Sequence, residues 1–226
     1  MRIVTWNCCH GPYSTKAAHA LALGGDITVL TECSRPRDAG SPQRRWFGVE
    51  GRWGIAVLAA EPYRLDPLPQ VPDLPHYVIP VQVAGPVNFL LIAVWTWPEP
   101  SYLRVLERGF TAYADLMRAQ PTVVAGDFNS NSFFDRPRSA LTHSTVVAQL
   151  AEYGLVSSYH HFFGEPQGGE TRPTFYFYRK ADQPFHIDYC FVPHVWSDRL
   201  TNVAVAPFAE GQTLSDHRPV TVDVAL

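Results

Sequence analysis

Short apolar segments of strand length, joined mostly without intervening helices, constrain the fold of this sequence most strongly. Runs rich in Val, Ile, Leu and aromatic residues, bounded by Gly, Pro, Asn or Asp, are typical of β-strands. We predict strands at 2–7, 26–32, 54–59, 76–83, 87–94, 122–125, 155–159, 173–179, 185–192, 202–207 and 219–225. Because many neighbouring strands have no helix between them, the pattern favours antiparallel or mixed sheets over a doubly wound parallel fold.

Three segments have the pattern of amphipathic helices. Apolar residues recur at helical spacing within 99–118, and a Gly directly follows each of the segments 14–23 and 144–153. The Arg-rich segment 34–45 contains two prolines and predicts a loop. The proline-rich stretch 62–80 predicts an irregular connection that extends into the fourth predicted strand.

The composition excludes several classes of protein. Apolar residues make up 46% of the 226 residues, which indicates a globular chain with room for a substantial core. The longest apolar run, 89–95, is far too short to span a membrane. The N-terminus lacks the features of a signal peptide. The sequence contains no Cys-x-x-Cys pair, so we do not expect a zinc site. We therefore expect a cytoplasmic protein with reduced cysteines and no membrane association.

Several predicted strands end in, or lie next to, a carboxylate, an amide or a histidine. The residues are Asn7, Glu32, Asp127, Asn129, Asp188, Asp216 and His217. One such residue is ordinarily a turn or cap residue, but several at corresponding strand ends suggest a common site. Oxygen ligands suit Mg²⁺, which is usually held by one or two carboxylates and substrate phosphate. The set predicts metal-assisted attack of water on a phosphate ester.

Five short motifs occur in a characteristic order along the chain: Thr-Trp-Asn (5–7), Leu-Thr-Glu (30–32), Gly-Asp-Phe-Asn-Ser (126–130), His-Ile-Asp-Tyr (186–189) and Ser-Asp-His-Arg-Pro-Val (215–220). Together they resemble the endonuclease/exonuclease/phosphatase superfamily, most closely its exonuclease III and AP endonuclease branch. The resemblance implies an α/β fold in a single domain, 1–226. Its four-layer sandwich has two packed mixed β-sheets, helices outside, and the active site at one rim.

The resemblance also implies roles for residues around a metal ion. Glu32 would be the principal ligand of Mg²⁺, with Mn²⁺ as a possible substitute. Asn7 would lie beside the metal and help to hold a ligand or the phosphate, and Asp216 would serve a metal or its waters. Asp127 would orient or deprotonate the attacking water, and Asn129 would position Asp127 and the phosphate.

A second group of implied roles concerns the phosphate and its surroundings. Asp188 would fix the ring of His217, which would contact the phosphate. Trp95 stands where most phosphatase branches have His and the exonuclease III branch has Tyr, which leaves open whether it packs against substrate or in the core. Phe175 belongs to a segment similar to an aromatic stretch of AP endonucleases, and it could stack on a base or pack within a strand.

The substrate prediction rests on local positive charge, because the net charge of the chain is −3. Arg44 and Arg45 follow Glu32 in a predicted loop, and Arg136 lies in the loop after the Gly-Asp-Phe-Asn-Ser motif. Both loops leave predicted strands at the catalytic rim. Guanidinium groups there could contact a nucleic-acid backbone on both sides of the scissile phosphate. The leading hypothesis is a monomeric, Mg²⁺-dependent nuclease that acts on DNA.

Two other functions remain open from the sequence. One is phosphatase or phosphodiesterase action on a small molecule or a lipid head group, since the resemblance covers both kinds of enzyme. The other is a binding protein on a catalytically inactive version of the fold. The second is disfavoured because every implied catalytic residue is present.

Overall fold

The computed structural model of the protein describes residues 1–49, 51–71, 77–208 and 214–226. Within these residues, one six-stranded sheet contains, in spatial order, β13 (Leu200–Val205), β14 (Val220–Val224), β1 (Arg2–Asn7), β2 (Ile27–Cys33), β4 (Gly54–Ala59) and β3 (Arg44–Gly48). The described part of the other sheet contains β5 (Arg64–Pro67), β6 (Val78–Ala84), β7 (Phe89–Trp95), β8 (Thr122–Asp127), β12 (Asp188–Pro193) and β9 (Leu155–Ser157). Both sheets are mixed, because β1–β2 and β7–β8 pair in parallel while their other pairs are antiparallel.

The helices form the outer layers of this sandwich. They are α1 (Tyr13–Ala22), α2 (Tyr102–Ala112), α3 (Ala114–Ala119), α4 (His143–Glu152) and α5 (Ser158–Phe163). A two-stranded ribbon of β10 (Phe175–Tyr176) and β11 (Pro184–Phe185) lies outside the sheets. None of the helices in the described part of the chain combines the length and the apolar character needed to cross a membrane.

Strand β7 shows why these layers form. Its residues are all buried, and alternate side chains point to opposite faces of a sheet. Leu91 and Ala93 join the core between the two sheets, whereas Leu90 and Ile92 pack in the cluster that includes α2 and α4. On the other sheet, Trp6 packs in a cluster with α1. A strand buried on both faces has a continuous apolar run, and the predicted α/β sandwich of two mixed sheets with outer helices is confirmed.

The predicted elements differ from the structure where strands are short or exposed. Segment 34–45 is a loop only up to β3, which begins at Arg44, and β5 lies within the predicted irregular connection. These two strands are the outermost strands of the described sheets, and their residues carry no continuous apolar run. Residues 72–76 lie outside the described residues. They include part of the predicted connection 62–80 and the first residue of the predicted strand 76–83.

Three further predictions merged separate elements. Segment 99–118 contains α2 and α3, because Tyr113 between them departs from helical geometry with φ −105° and ψ 11°. The predicted strand 155–159 ends at Ser157, where α5 begins. The predicted strand 173–179 keeps two strand residues and then turns, with Tyr178 at φ 52°. Apolar and aromatic composition does not distinguish a short strand from a buried turn.

Candidate active site

Strand register brings the predicted polar residues to one rim of the sandwich. Asn7 ends β1 and is level with Thr31, the residue before Glu32 on β2. In the other sheet, Asp127 at the end of β8 lies opposite Asp188 at the start of β12. The two sheets face each other, so these strand ends surround one volume.

Asn7 joins the carboxylates of the two sheets. Its Nδ2 donates to Glu32 Oε1 at 3.0 Å and to Asp127 Oδ2 at 2.8 Å. Its Oδ1 accepts from the backbone N–H of Cys9 at 2.8 Å. This backbone donor fixes the orientation of the amide, because an N–H can bond only to the oxygen. Asn7 therefore donates to carboxylates of both sheets, and one lone pair of its oxygen is taken by Cys9.

Glu32 is held at the rim by an irregular stretch of β2. The pairing of β2 with β4 shifts register between Leu30 and Cys33, and Glu32 itself has φ +51°. Bulges of this kind re-aim a side chain next to active sites. Glu32 Oε2 lies 2.9 Å from Nε2 of His10, whose ring stacks on Trp53 with centroids 4.9 Å apart. Sequence reasoning missed His10, which belongs to no motif.

Asp127 is the most heavily bonded carboxylate of the site. Oδ1 accepts from the backbone N–H of Asn129 at 2.8 Å, and Oδ2 accepts from Asn129 Nδ2 at 2.9 Å in addition to Asn7. Complete burial and repulsion from Asp188 nevertheless raise the pKa of Asp127 to about 7. A carboxylate that titrates near neutrality suits general-base chemistry.

Gly126 is what lets the chain place Asp127. It has φ +148°, and a Cβ atom there would lie 1.8 Å from the carbonyl oxygen of Val94. β8 therefore approaches β7 too closely at this point for any side chain. A glycine before Asp127 is thus a packing requirement of the two strands.

Asp188 and His217 form a buried pair. Asp188 Oδ2 lies 2.8 Å from His217 Nδ1. Burial opposes protonation of the imidazole, but the carboxylates of Asp188, Asp127 and Asp216 outweigh it and raise the pKa of His217 to about 9. Ser215 Oγ accepts from the His217 backbone N–H and donates to the Asn7 carbonyl, which connects this loop to β1. His217 is thus an imidazolium at neutral pH.

The three innermost groups form a compact cluster. One ligand atom from each of Asp127, Asp188 and His217 lies within 4.8 Å of the others. Among the described residues, Asp188 Oδ1 is buried without a hydrogen-bond partner. The predicted metal residue Asp216 lies outside this cluster and is half-buried; burial and a hydrogen bond to Asp216 raise the pKa of Cys9 to about 11.

A model of the endonuclease/exonuclease/phosphatase family matches residues 4–217. The chain belongs to this family. The predicted family is therefore confirmed, and the protein is a phosphoric ester hydrolase. A comparison with curated proteins gives no significant match.

Solved structures of similar fold span the whole chain. A 3′ phosphatase, NExo, from Neisseria bound to a product DNA hairpin shares 21% identity, with 100% of both chains covered and a TM-score of 0.74. An AP endonuclease from Archaeoglobus fulgidus shares 17% identity, with 100% of both chains covered and a TM-score of 0.74. The endonuclease domain of TRAS1, a telomere-specific non-LTR retrotransposon, shares 19% identity over 99% of this chain and 97% of the other, with a TM-score of 0.66.

Around this hydrolase site, the predicted substrate residues separate into two groups. Phe175 packs on His217 with ring centroids 4.6 Å apart, and the two residues form an isolated β-bridge. Arg136 lines a cavity of about 560 Å³ together with Asn129. Tyr102 lines the same cavity, and burial together with the charges of Asp127 and Glu32 raises the pKa of its phenol. Sequence reasoning assigned Tyr102 no role.

Arg44 and Arg45 lie elsewhere. They are in β3 rather than in a rim loop, and Arg44 pairs with Leu58 while Gly48 pairs with Gly54 at the rim end. At roughly 3.3 Å per residue, Arg44 is about 13 Å along the strand from Gly48. Arg44 forms an ion pair with Asp38, and Arg45 donates to the carbonyl of Ser41. The structure therefore corrects their predicted location, and we do not retain them as substrate contacts.

Trp95 ends β7 beside Asp127 in register. Its side chain is only 3% exposed and lies between Tyr77 and Trp97, with centroid distances of 4.7 and 5.5 Å. The indole is thus packed in the core, and it also lines a cavity.

Proposed function

We propose that the protein is a divalent-metal-dependent nuclease that hydrolyses phosphodiester bonds in DNA. The observation that carries this proposal is the placement of Asp127, with a pKa of about 7, beside the imidazolium of His217 and the cluster they share with Asp188. A base and a fixed cation on one phosphate site are the groups needed for in-line attack of water.

The donor set fits a hard metal ion. Carboxylate oxygens dominate the rim, and the buried Oδ1 of Asp188, which has no partner among the described residues, is an acceptor that a cation or its water would satisfy. Glu32, partly exposed at the rim, would hold Mg²⁺ or Mn²⁺, and Asp216 would bind its waters. When bound, the ion supplies a Lewis acid that neutralises charge on the phosphate.

The residues of the chain account for the remaining chemistry. Asp127 accepts a proton from the attacking water while Asn7 and Asn129 hold its two oxygens in place. His217 donates a charged hydrogen bond to a phosphate oxygen, because its Nδ1 is engaged by Asp188 and its Nε2 remains for substrate. Asp188 keeps the ring oriented and charged.

Support for DNA as substrate comes from the walls of the site. Arg136 beside Asn129 supplies positive charge, and Phe175 beside His217 supplies an aromatic surface for a base or sugar. One of the similar structures is a 3′ phosphatase bound to a product DNA hairpin, and another is an AP endonuclease. The same Neisseria protein is described as a 3′ phosphatase and as a 3′–5′ exonuclease, which favours removal of a 3′ phosphate from DNA as a second candidate reaction.

A substrate panel tests the proposal. Single-stranded and duplex DNA, RNA, a 3′-phosphorylated oligonucleotide and a small phosphomonoester are incubated with Mg²⁺, Mn²⁺ or excess chelator. We expect metal-dependent cleavage of DNA that Asp127→Asn abolishes, since the amide keeps the shape of the side chain but cannot accept the proton. Brisk hydrolysis of the small phosphomonoester without nuclease activity would contradict the proposal.

A further inference from the structure

A second cavity at the catalytic rim is lined mainly by aromatic rings. It has a volume of about 560 Å³, and its lining includes Trp53, Tyr77, Trp95 and Trp97, with Arg52 and Glu99 as charged residues. This volume is in the range that accommodates a small organic ligand. None of the reaction steps above uses it.

The rings form a buried floor and an exposed wall. Trp95 is 3% exposed, whereas Trp97, which meets it edge-on at 5.5 Å, is 48% exposed. Large aromatic side chains contribute most when they are covered by a partner, because their apolar area is large. The exposed indole of Trp97 thus offers a flat surface that a planar ligand would cover.

Both sides of the cavity are connected to the catalytic carboxylates. Trp95 is the register partner of Asp127 across β7 and β8. Trp53 stacks on His10, whose Nε2 contacts Glu32. A group in the cavity would therefore lie next to the strand ends that carry Asp127 and Glu32.

We propose that this cavity binds one unpaired nucleobase of the substrate strand, next to the scissile phosphate. The inference rests on the proposed nuclease function. Every base presents a flat face to aromatic rings, and such stacking is tolerant of sequence. Glu99 can accept a hydrogen bond from an exocyclic amino group, and Arg52 in the same lining can contact the adjoining phosphate.

The cavity selects the form of the nucleic acid. A base within a duplex is stacked and paired, so it must leave the helix before it can enter a protein pocket. We therefore expect the enzyme to prefer single strands, frayed ends or extrahelical nucleotides over intact duplex. An aromatic cavity can also bind a quaternary ammonium head group; the lining carries one charge of each sign, Arg52 and Glu99, so the test includes a choline substrate.

The test uses single-stranded oligonucleotides that carry one abasic residue, moved along the chain relative to the cleaved bond. For the wild-type protein we expect one position at which loss of the base lowers kcat/KM about 10-fold, the loss expected for one stacked base. Trp97→Ala should cause the same loss on the intact oligonucleotide and no further loss when that one base is missing. Trp97→Phe, which keeps a stacking surface, should remain close to wild type.

Phe162→Ala is the matched control, because Phe162 is an exposed aromatic residue, 39% exposed, outside the cavity lining. It should leave every substrate unaffected, and an oligomer made only of abasic residues should be cleaved equally by all variants. If DNA is cleaved but every abasic position is tolerated, the cavity inference fails and the nuclease proposal stands. If no nucleic acid is cleaved, the nuclease proposal itself fails. Hydrolysis of a choline phosphodiester that Trp97→Ala abolishes would assign the cavity to a cationic head group instead.

Discussion

Nδ1 of His217 lies 2.8 Å from Oδ2 of Asp188, and both side chains are buried beneath the catalytic rim. The contact engages Nδ1 of the ring, leaves Nε2 as the other ring nitrogen, and helps to raise the pKa of His217 in a buried setting. Its energetic importance follows from the buried setting, in which removal of one partner leaves an uncompensated group.

Asp188→Asn should lower the pKa of His217 from about 9, because burial is then opposed only by the more weakly acting carboxylates of Asp127 and Asp216. An NMR titration of the metal-free protein measures this. The folded-state pKa exceeds the unfolded value of about 6.5, so the stabilisation is fully present below pH 6.5 and is lost as pH rises through about 9. A variant that still titrates near 9 would show that Asp188 is not the source of the shift.

The same pair should act as one unit in catalysis. Asp188→Asn and His217→Ala should each lower kcat by roughly 100-fold or more, and the double variant should be far less impaired than the product of the two losses. Single-turnover rates on one oligonucleotide decide between the outcomes. Multiplicative losses would mean that the two side chains contribute independently.

Metal binding should depend on Glu32. Glu32→Gln keeps the size of the side chain but removes its charge, so we expect the affinity for Mg²⁺ to fall about 10-fold or more while the fold is retained. Titration calorimetry measures the affinity, and Glu107→Gln, at a half-buried position on α2 where Glu107 pairs with Arg104, is the control. Full nuclease activity in excess chelator would refute a metal-dependent mechanism.

Arg136 and Arg44 should differ in their effect on DNA binding. Arg136 lines the cavity beside Asn129, whereas Arg44 is paired with Asp38 away from the rim. Arg136→Ala should weaken binding and reduce the slope of log affinity against log salt by about one, since one phosphate contact is lost. Arg44→Ala should leave the slope unchanged. Fluorescence anisotropy at several salt concentrations measures both slopes. A reduced slope for Arg44→Ala with an unchanged slope for Arg136→Ala would contradict the prediction.

Two glycine substitutions test how the strand places Asp127. In Gly126→Ala, the new Cβ would meet a backbone oxygen at 1.8 Å, so we expect a loss of about 4 kcal/mol or more in unfolding free energy, or failure to fold. In Gly154→Ala, φ is +80° but nothing lies within 4 Å, so the cost should be about 1–2 kcal/mol. Denaturant unfolding compares them. Equal stability of both variants would remove the packing argument for Gly126.

The long central strands could be predicted from sequence because they are buried on both faces. β7 is an uninterrupted apolar run and β8 has an apolar centre, and the prediction located both to within a few residues. The edge strands β3 and β5 were missed, since half-exposed residues carry a weak pattern. Short elements that follow directly on a strand, such as α5 after β9, depend on contacts with other parts of the chain.

The sequence by itself determined the family, the sandwich and the identities of the motif residues, because phosphate-ester chemistry restricts which side chains can stand at those strand ends. Only the tertiary structure decided that the Asn7 oxygen is engaged by Cys9, that Arg44 is remote from the rim, and that His10 contacts Glu32. The reason is physical. Strand register, a bulge in β2 and the packing of one sheet on the other arise from pairings between distant segments, and no local pattern in the sequence contains them.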